Sequence, residues 1–342
     1  MATTESRAWT FTTGGYPQAL KLSSATPPTK EQVKPKHVLV KIKAAGLNPV
    51  DVQIMNMPIW SIPIGPLTAE KTLCSDFSGT VIAAGEGADF VEGDEIFGVT
   101  LKPFAPCGGT MAEIAHINLD NACVVKKPRE MTFVQAAGLG CVFLTARTCI
   151  EHCIPYVEPN SSKRVVVLGG SSSAGMYTVY LAKQRGWKVL STCSGKNAGW
   201  VQSTMGADEI IDYTMSSVPE GVKRFQPDAI IDCVGGVECH GIAKRYVTIV
   251  GDKTSRLSMG GSMTYLWTPY LWVRWGLGRL GLGEVYDNIV LELKKEWLEE
   301  SKRLPDDKLI TDSTFAFEDA RSAYERLNTG RARGKVIVEV SK

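Results

Sequence analysis

The sequence predicts an α/β protein built from two parts. Three observations carry that prediction. Glycine-punctuated alternation of apolar and polar residues fills the first third. Continuous apolar strands alternate with helical stretches in the middle. A helix and a strand pattern close the chain.

Residues 37–45 (HVLVKIKAA) alternate like a half-buried strand. Residues 77–98 give two short apolar runs split by glycine and acidic turn residues, and 111–117 give another short strand. Together they read as a barrel-like β domain. Residues 164–168 (RVVVL) form an unbroken apolar run, the pattern of a strand buried on both faces. A Gly/Ser loop follows, then a helix over 176–185 and a strand over 187–193. Segments 210–211, 229–233 and 246–250 add strands, so right-handed βαβ units and a doubly wound parallel sheet are expected. Near the end, Ala320, Ala323, Tyr324 and Leu327 fall at i, i+3, i+4 and i+7, one face of a helix that Gly330 stops. Residues 335–340 (KVIVEV) are a closing strand. The first domain is therefore expected to be discontinuous, 1–131 with 306–342. The second is 132–305, with an aromatic insert over 262–303.

A chain of 342 residues suits two domains of ~150 residues each. Lys and Arg number 38 against 36 Asp and Glu, a balance that excludes a polybasic nucleic-acid binder. With 44% apolar residues the chain can bury a core, which excludes a disordered protein. The most apolar stretch, 263–282, is interrupted by Arg274 and Arg279, against a spanning helix. The nine cysteines are scattered, and the first nine residues hold no long apolar run. Reduced thiols in a cytoplasmic enzyme are the expectation.

The strand–loop–helix at 164–185 carries the cofactor reading. A dinucleotide pyrophosphate needs close backbone approach and a helix N-terminus. Gly170, Ser171, Ser172, Ser173, Ala174 and Gly175 offer small residues for both. Serines replace the inner glycines of the usual fingerprint, so a plain β–α turn stays open as the alternative. About 20 residues on, a carboxylate would bind the ribose 2′-hydroxyl of NAD. Residues 190–197 (LSTCSGKN) contain none. Ser194, Lys196 and Asn197 instead suit a 2′-phosphate, which points to NADPH; a solvent-exposed turn lysine is the alternative. Cys233 and Val234 end a strand and should line the crevice. Tyr213 is placed to flank the adenosine.

Several short stretches resemble the medium-chain dehydrogenase/reductase family, quinone oxidoreductase-like branch. They are Gly46-Leu47-Asn48-Pro49-Val50-Asp51, Asp76-Phe77-Ser78-Gly79, Gly93-Asp94-Glu95-Ile96-Phe97-Gly98 and Gly109-Thr110-Met111-Ala112-Glu113. Ala136-Ala137 with Leu144-Thr145-Ala146, Gly206-Ala207-Asp208 with Asp212-Tyr213, and Gly334-Lys335-Val336 complete the ordered set. Thr192-Cys193-Ser194 with Asn197 is most similar to fungal reductases of the family, including enoyl reductases that act beside polyketide synthases.

The resemblance implies a GroES-like β-rich catalytic domain joined to a Rossmann domain. It places Asn48 beside the nicotinamide, with Asp51 and Thr145 near. For Asn48 an Asn-Pro turn role is the alternative, and for Thr145 a helix-interior hydroxyl. Zinc-dependent relatives carry ligands at the positions of Asn48, Ser75 and Cys141. Only Cys141 could serve here, and Cys107 is alone in its loop, so no metal is expected. Gln53 and Ile59 stand where many relatives carry a tyrosine, which leaves the proton donor unassigned.

The implied activity is an NADPH-dependent, zinc-independent reduction of an activated C=C bond or a quinone. The alternatives are a trans-acting enoyl reductase on a carrier-bound substrate, and a nucleotide-binding protein without turnover. The substrate would be small and apolar or carrier-bound, and the protein a monomer or homodimer. The insert carries Tyr265, Trp267, Tyr270, Trp272 and Trp275, followed by a charged helix over 288–303. Three readings stay open for it: core or dimer packing, a lid, and peripheral membrane contact.

Overall fold

The alternation at 37–45 becomes the central strand of an antiparallel-rich sheet. The computed structural model describes residues 5–16, 18–57, 62, 69–101, 108–252 and 269–341. They belong to two compact units, 1–141 with 293–342, and 142–292. Cys107, Ile59, Tyr265 and Trp267 lie outside the described residues.

The first unit opens with β1 (Ser6–Phe11), β2 (Lys21–Ala25), β3 (His37–Gly46) and β4 (Lys71–Thr72). It continues with β5 (Asp76–Ala84), β6 (Glu95–Thr100), β7 (Ile114–Asn118) and β8 (Ala122–Lys126). β1 pairs antiparallel with β2 and β4 in one small sheet. β3, β5, β6 and β8 follow one another antiparallel in the larger sheet, and β7 also pairs β3. The β3–β5 register sets Gly46 opposite Asp76. That pairing brings the start of helix α1 (Pro49–Met55) close to the head of β5. Helix α2 (Phe133–Ala137) packs on β3, β5 and β6, and α3 (Gly140–Val157) carries the chain onward.

In the second unit, β9 (Arg164–Leu168), α4 (Ser173–Gln184), β10 (Lys188–Cys193), α5 (Gly195–Ser203), β11 (Glu209–Asp212) and α6 (Val218–Phe225) alternate. β12 (Ala229–Asp232), β13 (Arg245–Thr248), helix α7 (Pro269–Arg279) and β14 (Val285–Asn288) follow. The parallel order is β11-β10-β9-β12-β13-β14. Val165, Val166 and Val167 are fully buried, which is why this strand reads as an unbroken apolar run. The chain leaves β9 toward β10 on one side and returns as β12 on the other. The order therefore reverses between β9 and β12, the switch point where such sheets bind ligands.

The tail supplies α8 (Lys295–Glu300), β15 (Thr311–Ala316), α9 (Ala320–Asn328) and β16 (Lys335–Glu339). β16 pairs parallel with β15 and antiparallel with β3, with Ile337 opposite Gly46. Ala320, Ala323, Tyr324 and Leu327 are all buried, as their spacing predicts. The charged helix expected over 288–303 is shorter. Asn288 is held in the β13–β14 ladder opposite Thr248, and helix begins only at Lys295. Glu299 pairs with Lys302. Trp297 and Leu298 are buried where α8 packs on β8, so this stretch belongs with the first unit. The sequence-based cuts at 131/132 and 305/306 assign α2 and α8 to the second domain; both lie within the first unit. Among the described residues, no helix is long and apolar enough to cross a membrane.

Candidate active site

In the second unit, the loop after β9 lies against two neighbouring strands. A Cβ on Gly170 would stand 2.0 Å from Ser191 Oγ, and one on Gly175 would stand 2.1 Å from the Gly169 carbonyl oxygen. Gly169 has φ +86°, and a Cβ there would meet Val234 Cγ1 at 2.2 Å. The loop therefore hugs the sheet at the β9/β12 switch point, and the N-terminus of α4 starts there. Ser172 is the N-cap, its Oγ accepting the Gly175 N–H at 3.1 Å. Ser171 and Ser173 are half-buried, and Ala174 is buried. This small-residue, helix-N-terminal cradle fits a pyrophosphate.

Cys233 and Val234 follow β12 on the other side of the switch point. The Cys233 N–H donates to Leu168 O at 3.0 Å, and the Val234 and Gly235 N–H groups donate to Asp232 Oδ1 at 3.0 and 2.8 Å. Asp232 also accepts the Tyr246 hydroxyl at 3.1 Å. Burial pushes the Cys233 thiol up, so it is no nucleophile at neutral pH. After β10, Ser194 caps α5, and Asn197 Nδ2 donates to Ser194 Oγ at 3.4 Å. Lys196 is exposed and makes no ion pair among the described residues. Tyr213, half-exposed after β11, donates its N–H to Cys193 O at 3.3 Å. Thr145 is half-buried on α3.

In the first unit, the structure joins Asn48 and Asp51 to residues that sequence reasoning had not grouped with them. Asn48 precedes Pro49 as the N-cap of α1, and its N–H donates to Asp51 Oδ2 at 2.8 Å. Its Nδ2 donates to Asp76 Oδ2 at 3.0 Å and to Gly46 O at 3.3 Å. Its Oδ1 accepts from Lys335 Nζ at 2.6 Å. The same ammonium donates to Asp76 Oδ2 at 2.6 Å, and Asp76 Oδ1 accepts the Cys141 N–H at 2.7 Å. Asp76 is thus the hub, and the side-chain amide of Asn48, 3% exposed, is committed inside the cluster.

Electrostatics follows burial. Burial pulls the Lys335 ammonium down, but the charge of Asp76 and its hydrogen bond outweigh it, so lysine is held charged above its ordinary range. Asp51 faces the opposite balance. Burial pushes its carboxyl up to about 7, against the Asn48 N–H and the Lys335 charge, which lower it. Its Oδ1 has no hydrogen-bond partner among the described residues. Cys74 sits in the left-handed region at φ 71° and donates its thiol to Gly46 O at 3.2 Å. Burial, then Asp51, pushes that thiol well above the usual range.

Asp76 and Lys335 were visible in the sequence only as members of short family-like stretches. Lys335 lies 287 residues from Asn48, so no local pattern could pair them. Cys74 carried no signal beyond being a cysteine.

A discontinuous GroES-like sheet unit and a parallel-sheet Rossmann unit in one chain are the architecture of a two-domain oxidoreductase. The family model "Alcohol dehydrogenase GroES-like domain" matches residues 34–143, and "Zinc-binding dehydrogenase" matches 205–338. The trans-enoyl reductase pgmF of Aspergillus terreus (strain NIH 2624 / FGSC A1156) is 29% identical over 361 residues, covering 98% of this chain and 96% of that protein. The mitochondrial NAD(P)H oxidoreductase RTN4IP1 of Mus musculus is 30% identical, covering 90% and 82%. The quinone oxidoreductase structure from Coxiella burnetii shares the fold, with a TM-score of 0.77, 24% identity, and 98% and 100% coverage. The chain belongs to the medium-chain dehydrogenase/reductase family, as the ordered motifs predict.

Proposed function

We propose that the chain is an NADPH-dependent reductase that delivers hydride to an activated C=C bond, enone or enoyl, or to a quinone, without zinc. The Lys335 ammonium, 2.6 Å from both Asn48 Oδ1 and Asp76 Oδ2, carries this reading. By resemblance, zinc ligands would stand at Asn48, Ser75 and Cys141. Catalytic zinc needs three donors and an open position. Here an amide and a serine replace two of them, and a fixed ammonium already serves the neighbouring carboxylate. A second cation beside it would be repelled. The donor set does not fit zinc, and the "Zinc-binding dehydrogenase" match, 205–338, includes none of the three positions. A plain ketone or alcohol needs a Lewis acid or a positioned proton donor; an enone or quinone is activated already.

When bound, the nicotinamide supplies the hydride. The name of RTN4IP1 supports a nicotinamide cofactor. Residues 170–175 and the start of α4 would hold the pyrophosphate. Ser194, Lys196 and Asn197 would hold the 2′-phosphate, Tyr213 the adenosine, and Cys233 with Val234 the crevice wall. Asn48, clamped by Lys335 and Asp76, keeps the β3–α1 loop in one shape. Asp51 keeps the cluster neutral while its carboxyl is protonated. Thr145 offers a hydroxyl on α3. The proton that completes the reduction comes from solvent. The eight described cysteines are all thiols, which fits a reducing compartment such as the cytoplasm.

The similarity to pgmF favours a second reading, a trans-acting enoyl reductase on a carrier-bound chain. NADPH oxidation against a panel of enones, enoyl thioesters and quinones tests the proposal. Turnover without added metal, undiminished by a strong chelator, is expected. Turnover only on a carrier-protein thioester selects the second reading. NADPH binding with no turnover on any substrate leaves a nucleotide-binding protein and overturns both.

A further inference from the structure

The turn after β10 carries no carboxylate of its own, yet one reaches it from the neighbouring strand. β10 and β11 run parallel with Cys193 opposite Asp212, so both strands end at one level. Asp212 therefore stands beside the point where β10 passes into α5.

The approach is close. A Cβ on Gly195 would stand 2.4 Å from Asp212 Oδ2, so only a residue without a side chain lets the carboxylate lie against the turn. The Gly195 N–H donates to this carboxylate. Its Oδ1 accepts the Thr214 N–H at 2.9 Å and the Thr214 hydroxyl at 2.7 Å. The Thr214 hydroxyl first, then the Thr214 and Gly195 N–H groups, hold the Asp212 carboxyl below the ordinary carboxylate range, so it is charged at neutral pH.

This charge is not cancelled by the cation next to it in the turn. Lys196 directly follows Gly195, is exposed, and makes no ion pair among the described residues. The turn that would receive a 2′-phosphate thus carries both signs of charge. Its ammonium is left for a ligand, and its carboxylate is tied to the backbone and cannot swing away.

We infer that Asp212 is a specificity-determining residue that opposes Lys196: its carboxylate repels the 2′-phosphate that the ammonium attracts, and so caps the preference for NADPH over NADH. The inference rests on the dinucleotide reading given above. NADH carries a neutral hydroxyl in place of that phosphate, so the repulsion acts on NADPH alone. Like charges ~5 Å apart at the dielectric of water weaken binding about fourfold per unit charge.

The test is titration of NADPH and NADH against the full chain by tryptophan quenching, with Asp212→Asn and Asp212→Glu beside wild type. Asp212→Asn removes the charge and keeps an oxygen acceptor. It should bind NADPH about three- to tenfold more tightly than wild type and NADH within about twofold. The gain should shrink at high salt, because the group is at the surface. Asp212→Glu keeps the charge and should gain nothing. Unchanged NADPH affinity in Asp212→Asn, equal gains in both variants, or parallel losses of both cofactors would each overturn the inference. Parallel losses would make Asp212 a support of the turn only. Wild type that binds neither cofactor would overturn the dinucleotide reading and this inference with it. Wild type that binds the two equally would end the NADPH preference alone, and Asp212→Asn would still decide the role of Asp212.

Discussion

Lys335 and Asp76 stand 259 residues apart in sequence and form an ion pair at 2.6 Å, each side chain at most 2% exposed. Removing one partner leaves the other charge buried and uncompensated, at a cost of about 3–5 kcal/mol. Lys335→Met should lose about that much in urea unfolding. The double variant Lys335→Met/Asp76→Asn removes both charges and should recover most of the loss. A double variant as unstable as the single one would show that lost packing, not the orphaned carboxylate, sets the cost.

Asp51 makes stability depend on pH in a defined direction. Its folded carboxyl titrates near 7, and the unfolded one near 4. The folded state therefore holds the proton more tightly. The stability this gives is complete below about pH 4 and is lost as pH rises toward 7, at up to ~1.4 kcal/mol per pH unit. In Asp51→Asn the side-chain oxygen still accepts the Asn48 N–H, but no proton titrates. Unfolding free energy measured from pH 4 to 8 should fall less steeply in the variant. Parallel wild-type and variant curves would count against Asp51 as the titrating group.

Lys196 is exposed at the start of α5, where a 2′-phosphate would approach. A lysine–phosphate hydrogen bond contributes roughly 1.5–3 kcal/mol. Lys196→Ala should weaken NADPH about ten- to a hundredfold and leave NADH nearly unchanged. Titration by tryptophan quenching measures both. Ser194 and Asn197 remain, so the preference should shrink without inverting. Equal wild-type affinity for the two cofactors would defeat the specificity reading.

Gly175→Ala would set a methyl 2.1 Å from the Gly169 carbonyl oxygen, with backbone on both sides of the clash. We expect a loss of about 1–3 kcal/mol in stability and weaker binding of both cofactors alike. Ser172→Ala, which removes only the α4 cap, should cost about 1 kcal/mol. Thermal unfolding and cofactor titration separate the two. A Gly175→Ala protein with unchanged NADPH affinity would mean that the loop yields more than its packing suggests.

How much of this was legible beforehand depended on whether the cause was local. The β9 run and the α9 face were readable because burial writes a period into consecutive residues. The tight packing of the loop at Gly170 and Gly175 was readable because close backbone approach demands small side chains. The shortened helix at 295–300 was not, because the β13–β14 ladder captured Asn288 from a distant strand. The Asn48 environment was only half legible. Its motif marked the position, but its partners Asp76 and Lys335 come from β5 and β16, which only the tertiary fold brings together. Asp51 showed a carboxylate in the sequence, yet nothing in its neighbours announced that burial would keep it protonated near neutral pH.

The return of β16 to β3 also has a consequence for the order of biosynthesis. Residues 142–292 leave the ribosome as one uninterrupted stretch and can fold while translation continues. The other unit must wait for its last strand. At ~5–20 residues per second, about 10–40 seconds separate the emergence of residue 141 from that of residue 339. During that interval Asp76 is already synthesised but its ammonium partner is not. A chain that terminates before β16 would keep its parallel-sheet unit while leaving an unneutralised carboxylate and an open edge on β3. Such a product carries its own mark for chaperones and proteases.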